Sequence, residues 1–185
     1  MVILIKKLIP IFLILIVVAL GLWYLYPNES NIIHHNLYNI SNMEYKKDVT
    51  IEIKPTEFST AKDRTYITHN ILNIENDTKI VLEEVSISDN VNITISLKPN
   101  WNFMEGNCLS LFKVINDNNE KVIQYDQPYI KITDYAHNTI EYEQYGINNN
   151  EIGIRLSKSN FFDNGNSIII ILKSLSNLSY KLKFW

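Results

Sequence analysis

The densest run of chemically versatile side chains is YDQPYIKITDYAHNTIEYEQY, residues 125–145. Tyr125, Tyr129, Tyr135, Tyr142 and Tyr145 are interleaved there with Asp126, Gln127, Asp134, Asn138 and Glu143, and Trp101 and Phe103 come shortly before. A tyrosine ring offers a flat apolar face with a hydroxyl at its edge, and neighbouring carboxylates and amides add hydrogen bonds. That combination suits a surface that grips a sugar or a partner protein. Trp101, Tyr125, Asp126, Tyr129, Asp134, Tyr135, Tyr142 and Tyr145 are the residues expected to form it. The competing use of the same rings is structural, because tyrosine favours strands and fills sheet faces.

Catalytic sets are harder to assemble. Acid–base chemistry needs two carboxylates held across a cleft. Asp126, Asp134, Glu141 and Glu143 are available, but Glu141 and Glu143 alternate as exposed strand residues do. The five glycines build neither a G-x-S-x-G elbow nor a phosphate loop. His34 and His35 are adjacent, so on an extended chain they point to opposite sides, and neither His nor Cys follows at ligand spacing. His69, between Ile67 and Ile71, reads as a hydrogen-bonded, partly buried strand residue, and His137 is isolated. Asp117-Asn118-Asn119-Glu120 and Asp163-Asn164-Gly165-Asn166 are rich in oxygen ligands but lack calcium-loop spacing, and read as turns. Cys108, beside Leu109 and Leu111, reads as a buried, inert thiol. The expectation is a non-catalytic chain with no metal and no cofactor.

The elements that would position these residues are strands. VTIEIK (49–54) puts Val49, Ile51 and Ile53 on one face and Thr50, Glu52 and Lys54 on the other. VNITISLK (91–98), EIGIRLS (151–157) and LSYKLKF (178–184) repeat the alternation, which marks strands with one buried face. Further strands are expected at 65–74, 79–87, 109–116, 121–125, 129–133 and 139–143, with SIIIILKSL (167–175) as a central strand covered on both faces. Turn signals lie at 88–90, 116–119, 148–150 and 163–166, the last read as a hairpin. Short strands at this spacing, with no helical stripe between them, predict an all-β fold. The expected form is an antiparallel β-sandwich of immunoglobulin-like or jelly-roll type over residues 48–185.

The N-terminus sets the location. Lys6 and Lys7 precede an unbroken apolar or aromatic run from Leu8 to Tyr26, about 28 Å long as a helix and close to a bilayer's hydrocarbon thickness. Trp23, Tyr24 and Tyr26 suit the headgroup layer, and Pro27-Asn28 stop the helix. A cleaved secretory signal is the rival, but the apolar run continues past Ala19 and Gly21. Residues 1–26 are therefore expected to be a signal-anchor transmembrane helix, and 27–47 a juxtamembrane spacer. No Lys or Arg occurs from Pro27 to Tyr45, so the positive-inside rule places the N-terminus in the cytoplasm and the C-terminal domain outside a single-pass cell-membrane anchor.

Removing Lys6 and Lys7 from 17 basic and 20 acidic residues leaves 15 against 20, a mildly acidic exported part. That balance gives no electrostatic case for nucleic acid. One cysteine excludes an intramolecular disulfide, so an apolar core must hold the domain. Asn-x-Ser/Thr triplets at Asn28, Asn39, Asn76, Asn92 and Asn177 arise by chance in so asparagine-rich a chain. The function expected first is a membrane-anchored cell-surface module binding an envelope glycan or a partner protein. The alternative is a bitopic subunit of a membrane, secretion or envelope assembly whose helix makes the essential contact. An extracytoplasmic hydrolase ranks third.

Overall fold

The structure, a computed structural model, describes residues 12–18, 21, 27–34, 37–58, 64–117, 120–126, 128–148, 150–163 and 167–183. Residues 12–18 and Gly21 are helical (the described part of α1), and every residue of 12–18 is apolar. No described helix is long and apolar enough to cross a membrane. The rest of the expected anchor, with Lys6, Lys7, Trp23, Tyr24 and Tyr26, lies outside the described residues.

Period-two alternation becomes antiparallel sheets. One sheet runs in the order β10 (Glu143–Asn148), β11 (Glu151–Ser157), β5 (Asn90–Pro99), β4 (Thr78–Ile87), β3 (Arg64–Glu75). In the other, the 15-residue β12 (Ile168–Leu182) is central. β2 (Lys47–Ile53) and β9 (Tyr129–Asp134) pair with its first half, and β1 (Tyr38–Asn42) and β6 (Glu105–Ser110) with its second. β7 (Phe112–Asp117) and β8 (Glu120–Tyr125) form a separate hairpin. Alternate residues of both sheets meet in one core: Ile80, Leu82, Val85, Ile93, Ile95 and Ile154 from the first, and Val49, Ile51, Ile130, Ile132, Ile168 and Ile170 from the second. Each such burial contributes about 1.5–3 kcal/mol before the entropy of ordering is subtracted. The all-β, antiparallel expectation holds on that evidence.

Several expectations change in detail. The segments 167–175 and 178–184 are read separately in the sequence, yet residues 168–182 form one strand. Its first half is central, with one face fully buried at Ile168, Ile170 and Leu172 and the other half-buried at Ile169 and Ile171. The expected strand 109–116 breaks at Leu111 into β6 and β7. Residues 139–142 contribute only an isolated bridge, Thr139 to Thr133, and the strand starts at Glu143. No hairpin joins 161–162 to 167–168. Lys158–Phe162 is a short helix, α3, capped by the Ser157 hydroxyl, which accepts from the Asn160 amide at 3.1 Å. Phe161 drops into the main core from it, and β11 and β12 belong to different sheets. The turn residues 164–166 lie outside the described residues.

The described residues of the expected spacer, 27–34 and 37–47, are built into the fold. Asn28 accepts from the Asn31 amide (2.8 Å) at the start of helix α2 (Glu29–His34), as amide side chains do at helix N-termini. Ile32 and Ile33 of α2 and Tyr38 of β1 are buried. They belong to two small clusters with Cys108, Phe112, Val114, Leu178 and Tyr180, separate from the main core. Apolar residues at 32, 33 and 38 are too few for a periodic stripe, so the segment resembles a linker in sequence.

Candidate functional site

The aromatic residues do not share one face. Tyr129 opens β9 and Tyr135 follows its end, so about 20 Å of strand separates them at ~3.3 Å per residue. Both are exposed, at 64% and 76%. The Lys173 ammonium, opposite Tyr129 in the β9–β12 register, lies 5.8 Å from its ring centroid, within cation–π range. Tyr142 turns inward: its hydroxyl donates to the Ile130 carbonyl at 2.5 Å and its ring packs on the main core. Burial, with Tyr129 nearby, pushes its pKa up. Tyr145 lies over Gly153, where a Cβ would meet its ring at 2.7 Å, and the Arg155 guanidinium carbon sits 5.4 Å from its centroid. Tyr125 stacks edge-on against Phe112 at 6.0 Å, and Trp101 packs against Tyr180 at 5.2 Å in the small cluster under α2.

The two aspartates of the set are tied into the fold. Asp126 binds Lys113 at 2.8 Å and Lys46 at 3.3 Å, and the Lys113 hydrogen bond leads the interactions holding its carboxyl below the usual range. Asp134 accepts from the Asn138 side chain (2.7 Å) and amide (2.8 Å), closing the loop that carries Tyr135. Those bonds, the side-chain one first, hold its carboxyl down as well. Neither carboxylate is left poised to take a proton.

What the fold does bring together is a polar groove of about 410 Å³ beside the 141–143 segment. Glu141, Tyr142 and Glu143 line it together with Arg155 and Ser157 at the end of β11, Asn90 and Asn160. Strand register explains the pairing, because Glu143 lies opposite Arg155, and Arg155 opposite Asn92. The Arg155 Nε donates to Asn92 Oδ1 at 3.0 Å and its Nη1 reaches Glu143 Oε2 at 3.4 Å. Asn160 Nδ2 donates to the Glu141 carbonyl at 3.2 Å. Glu141 and Glu143 stand out in the sequence as carboxylates; Arg155, Asn90, Ser157 and Asn160 do not. The available signal is the outward position of Arg155, one of two arginines in the chain, on the alternating strand 151–157.

A second polar cluster lies across β3, β4 and β5. Glu83 receives Lys98 Nζ at 2.6 Å, the Ser96 hydroxyl, and His69 Nδ1 at 2.6 Å. Burial raises its pKa, but the hydrogen bonds from Lys98, Ser96 and His69 outweigh that and bring it down to about 2. The serine and histidine both bind the carboxylate and not each other, so the geometry is that of an ion-pair network and not a nucleophile with its base. His69 is hydrogen-bonded as expected, but its side chain is 68% exposed. A left-handed backbone at His69 (φ 49°) marks a bulge in β3, and Ile67 and Ile71 face solvent while Tyr66 and Leu72 pack on the main core. His34 is exposed and His35 lies outside the described residues. Among the described residues no group of three or more metal-ligating side chains converges. Comparison with known proteins supplies no relative: no family model, no curated protein and no solved structure matches the chain.

Proposed function

We propose that this chain is a membrane-anchored, non-catalytic binding module whose β-domain is presented outside the cell to an envelope glycan or a partner protein. The observation that carries the anchor is the helical stretch 12–18. Phe12, Leu13, Ile14, Leu15 and Val17 are each between 56% and 67% exposed, with no protein packed over them. Consecutive apolar side chains in that state are costly in water and at home in lipid. Lys6 and Lys7 before the run, and Trp23, Tyr24 and Tyr26 at its end, supply the orientation and the interfacial anchors. Among the described residues, none from that helix belongs to the β-domain's main core. Exposed Tyr129 and Tyr135 and the polar groove beside Tyr142 support the binding role.

Protease added to intact cells tests the arrangement. The expected result is degradation of residues 28–185 with a short membrane-bound N-terminal fragment left behind. Protection of the domain until the cells are lysed inverts the topology and ends the proposal.

A further inference from the structure

We propose that the groove between Glu141–Glu143 and Arg155–Ser157 is a saccharide site that takes neutral or amino-bearing sugars and rejects anionic ones. The inference rests on the binding-module reading above and names its ligand class.

Sugar hydroxyls donate and accept at once, so a site for them needs both kinds of partner at short intervals. The groove has them: carboxylate acceptors at Glu141 and Glu143, N–H donors at Arg155 and the asparagine amides, and a hydroxyl at Ser157. Most ligand clefts of this volume are largely apolar. Here the deeply buried Leu156 contributes little, and Tyr142, held by its bond to the Ile130 carbonyl, is the one aromatic residue of the lining. That composition suits a polyhydroxylated ligand better than a lipid or an apolar peptide.

The site is also held in place before any ligand arrives. Arg155 is fixed by Asn92, Glu143 and the Tyr145 ring, and Asn160 by the Glu141 carbonyl and the Ser157 cap. Pre-set side chains lower the ordering cost that weak sugar contacts must overcome. Charge then selects among sugars. Two carboxylates face one guanidinium, which Glu143 already engages, so the local field is negative and opposes uronates and phosphorylated sugars.

The test uses the full chain in a zwitterionic, sugar-free detergent, since glycosidic detergents would compete. Calorimetric titration compares three hexamers: N-acetylglucosamine (neutral), glucosamine (cationic) and galacturonate (anionic). The neutral and cationic probes should bind, the cationic one more tightly at low salt, and the anionic one should not. Glu141→Gln and Glu143→Gln should each weaken the neutral probe about tenfold, as loss of a charge-assisted hydrogen bond does, with unchanged thermal melts. The double variant E141K/E143K should admit the anionic hexamer. Tyr45→Ala, at an exposed ring outside the groove lining, should leave all affinities unchanged. No binding by any hexamer, or tightest binding by the anionic one, overturns the assignment. Binding lost in Tyr129→Ala or Tyr135→Ala but kept in the glutamate variants overturns the groove while the surface-module reading stands. Intracellular protection of the domain does the reverse.

Discussion

The two halves of β12 are one strand with two burial regimes. From Ile168 to Leu172, even-numbered side chains enter the main core and odd-numbered ones lie half-buried on the opposite face. The register then slips between Leu172 and Leu175, where Ser174 takes a left-handed backbone (φ 60°) and its amide is held by Asp48 Oδ1 at 2.9 Å. The extra residue reverses the alternation. Leu175 now enters the main core, and the even-numbered Leu178 and Tyr180 join the small clusters beneath α2. Ser176 and Asn177 are buried too, although the sequence is more polar here than in the isoleucine run. Burial on the second face therefore follows from what the chain lays over it, and hydrophobicity alone does not predict it.

The first way to break this comparison is to cut both halves equally. Ile170→Ala, in the main core, should cost about 2–5 kcal/mol and produce the largest loss of thermal stability. Leu178→Ala removes a similar volume from a smaller cluster, bordered by half-buried Ile40 and Trp101 that can close in, and should cost about 2 kcal/mol, the low end of that range. Cys108 supplies a local readout. Burial, reinforced by Glu29 and Asp77, pushes its thiol up to about 12, so it should resist thiol reagents at pH 8 in the native protein. Leu178→Ala should speed its labelling more than Ile170→Ala does at matched stability. Equal acceleration by both would mean that the small clusters open only with the whole domain.

Legibility in the sequence divides along the same line. Strands with one face in the main core, such as 49–53, 91–98 and 151–157, show clean alternation because one side is dry and the other wet. Bulges erase that signal. At Ser174 one extra residue shifts the alternation, so the even-numbered face that enters the main core before it leaves that core after it, and in β3 Ile67 and Ile71 face solvent while Tyr66 and Leu72 turn to the core. The spacer resembles a linker because Ile32, Ile33 and Tyr38 are buried by long-range contacts that no local period records. For the site, the sequence shows the tyrosines but not their directions. Tyr142 points inward because the Ile130 carbonyl lies within reach, which only the fold decides. Glu141 and Glu143 are visible as acids, whereas their meeting with Arg155 and Asn160 needs the β10–β11 register and α3.

Two glutamates sharpen the contrast at smaller scale, one on the sheet of β3–β5 and one at the small clusters. Glu83 is brought down to about 2 from 4.5, so its contribution to stability is complete above about pH 4.5 and is lost as pH falls toward 2. Glu83→Gln should cost about 1–2 kcal/mol at pH 7, because the bonds from Lys98 and His69 lose their charge assistance. The difference between variant and parent in a pH series of melts should shrink through that acid window. A difference that stays constant down to pH 2 would show that the carboxylate's charge is not what matters.

Glu29 is expected to behave with the opposite sign and the smallest amplitude. It sits in the first turn of α2, accepts from Asn150 Nδ2 at 3.3 Å, and its pKa is raised above 4.5 by burial, only partly offset by His34. A carboxyl raised in the folded state contributes its stabilisation below its unfolded pKa and loses it as pH climbs through the folded value. At pH 7 the ionised form is thus a mild burden. Glu29→Gln keeps an oxygen that can accept from Asn150 while removing the charge, so stability at pH 7 should rise, by no more than about 0.5 kcal/mol. The gain should vanish below about pH 4, where the parent is protonated as well. The same substitution removes one of the charges that raise the Cys108 pKa, so the rate of thiol labelling in alkaline buffer should increase even though the fold is firmer. Together those two shifts separate an electrostatic effect from simple loosening, which would speed labelling but lower the melting temperature. A lower melting temperature at pH 7 would mean that the Asn150 contact and the helix-terminal charge outweigh the cost of burying the carboxylate.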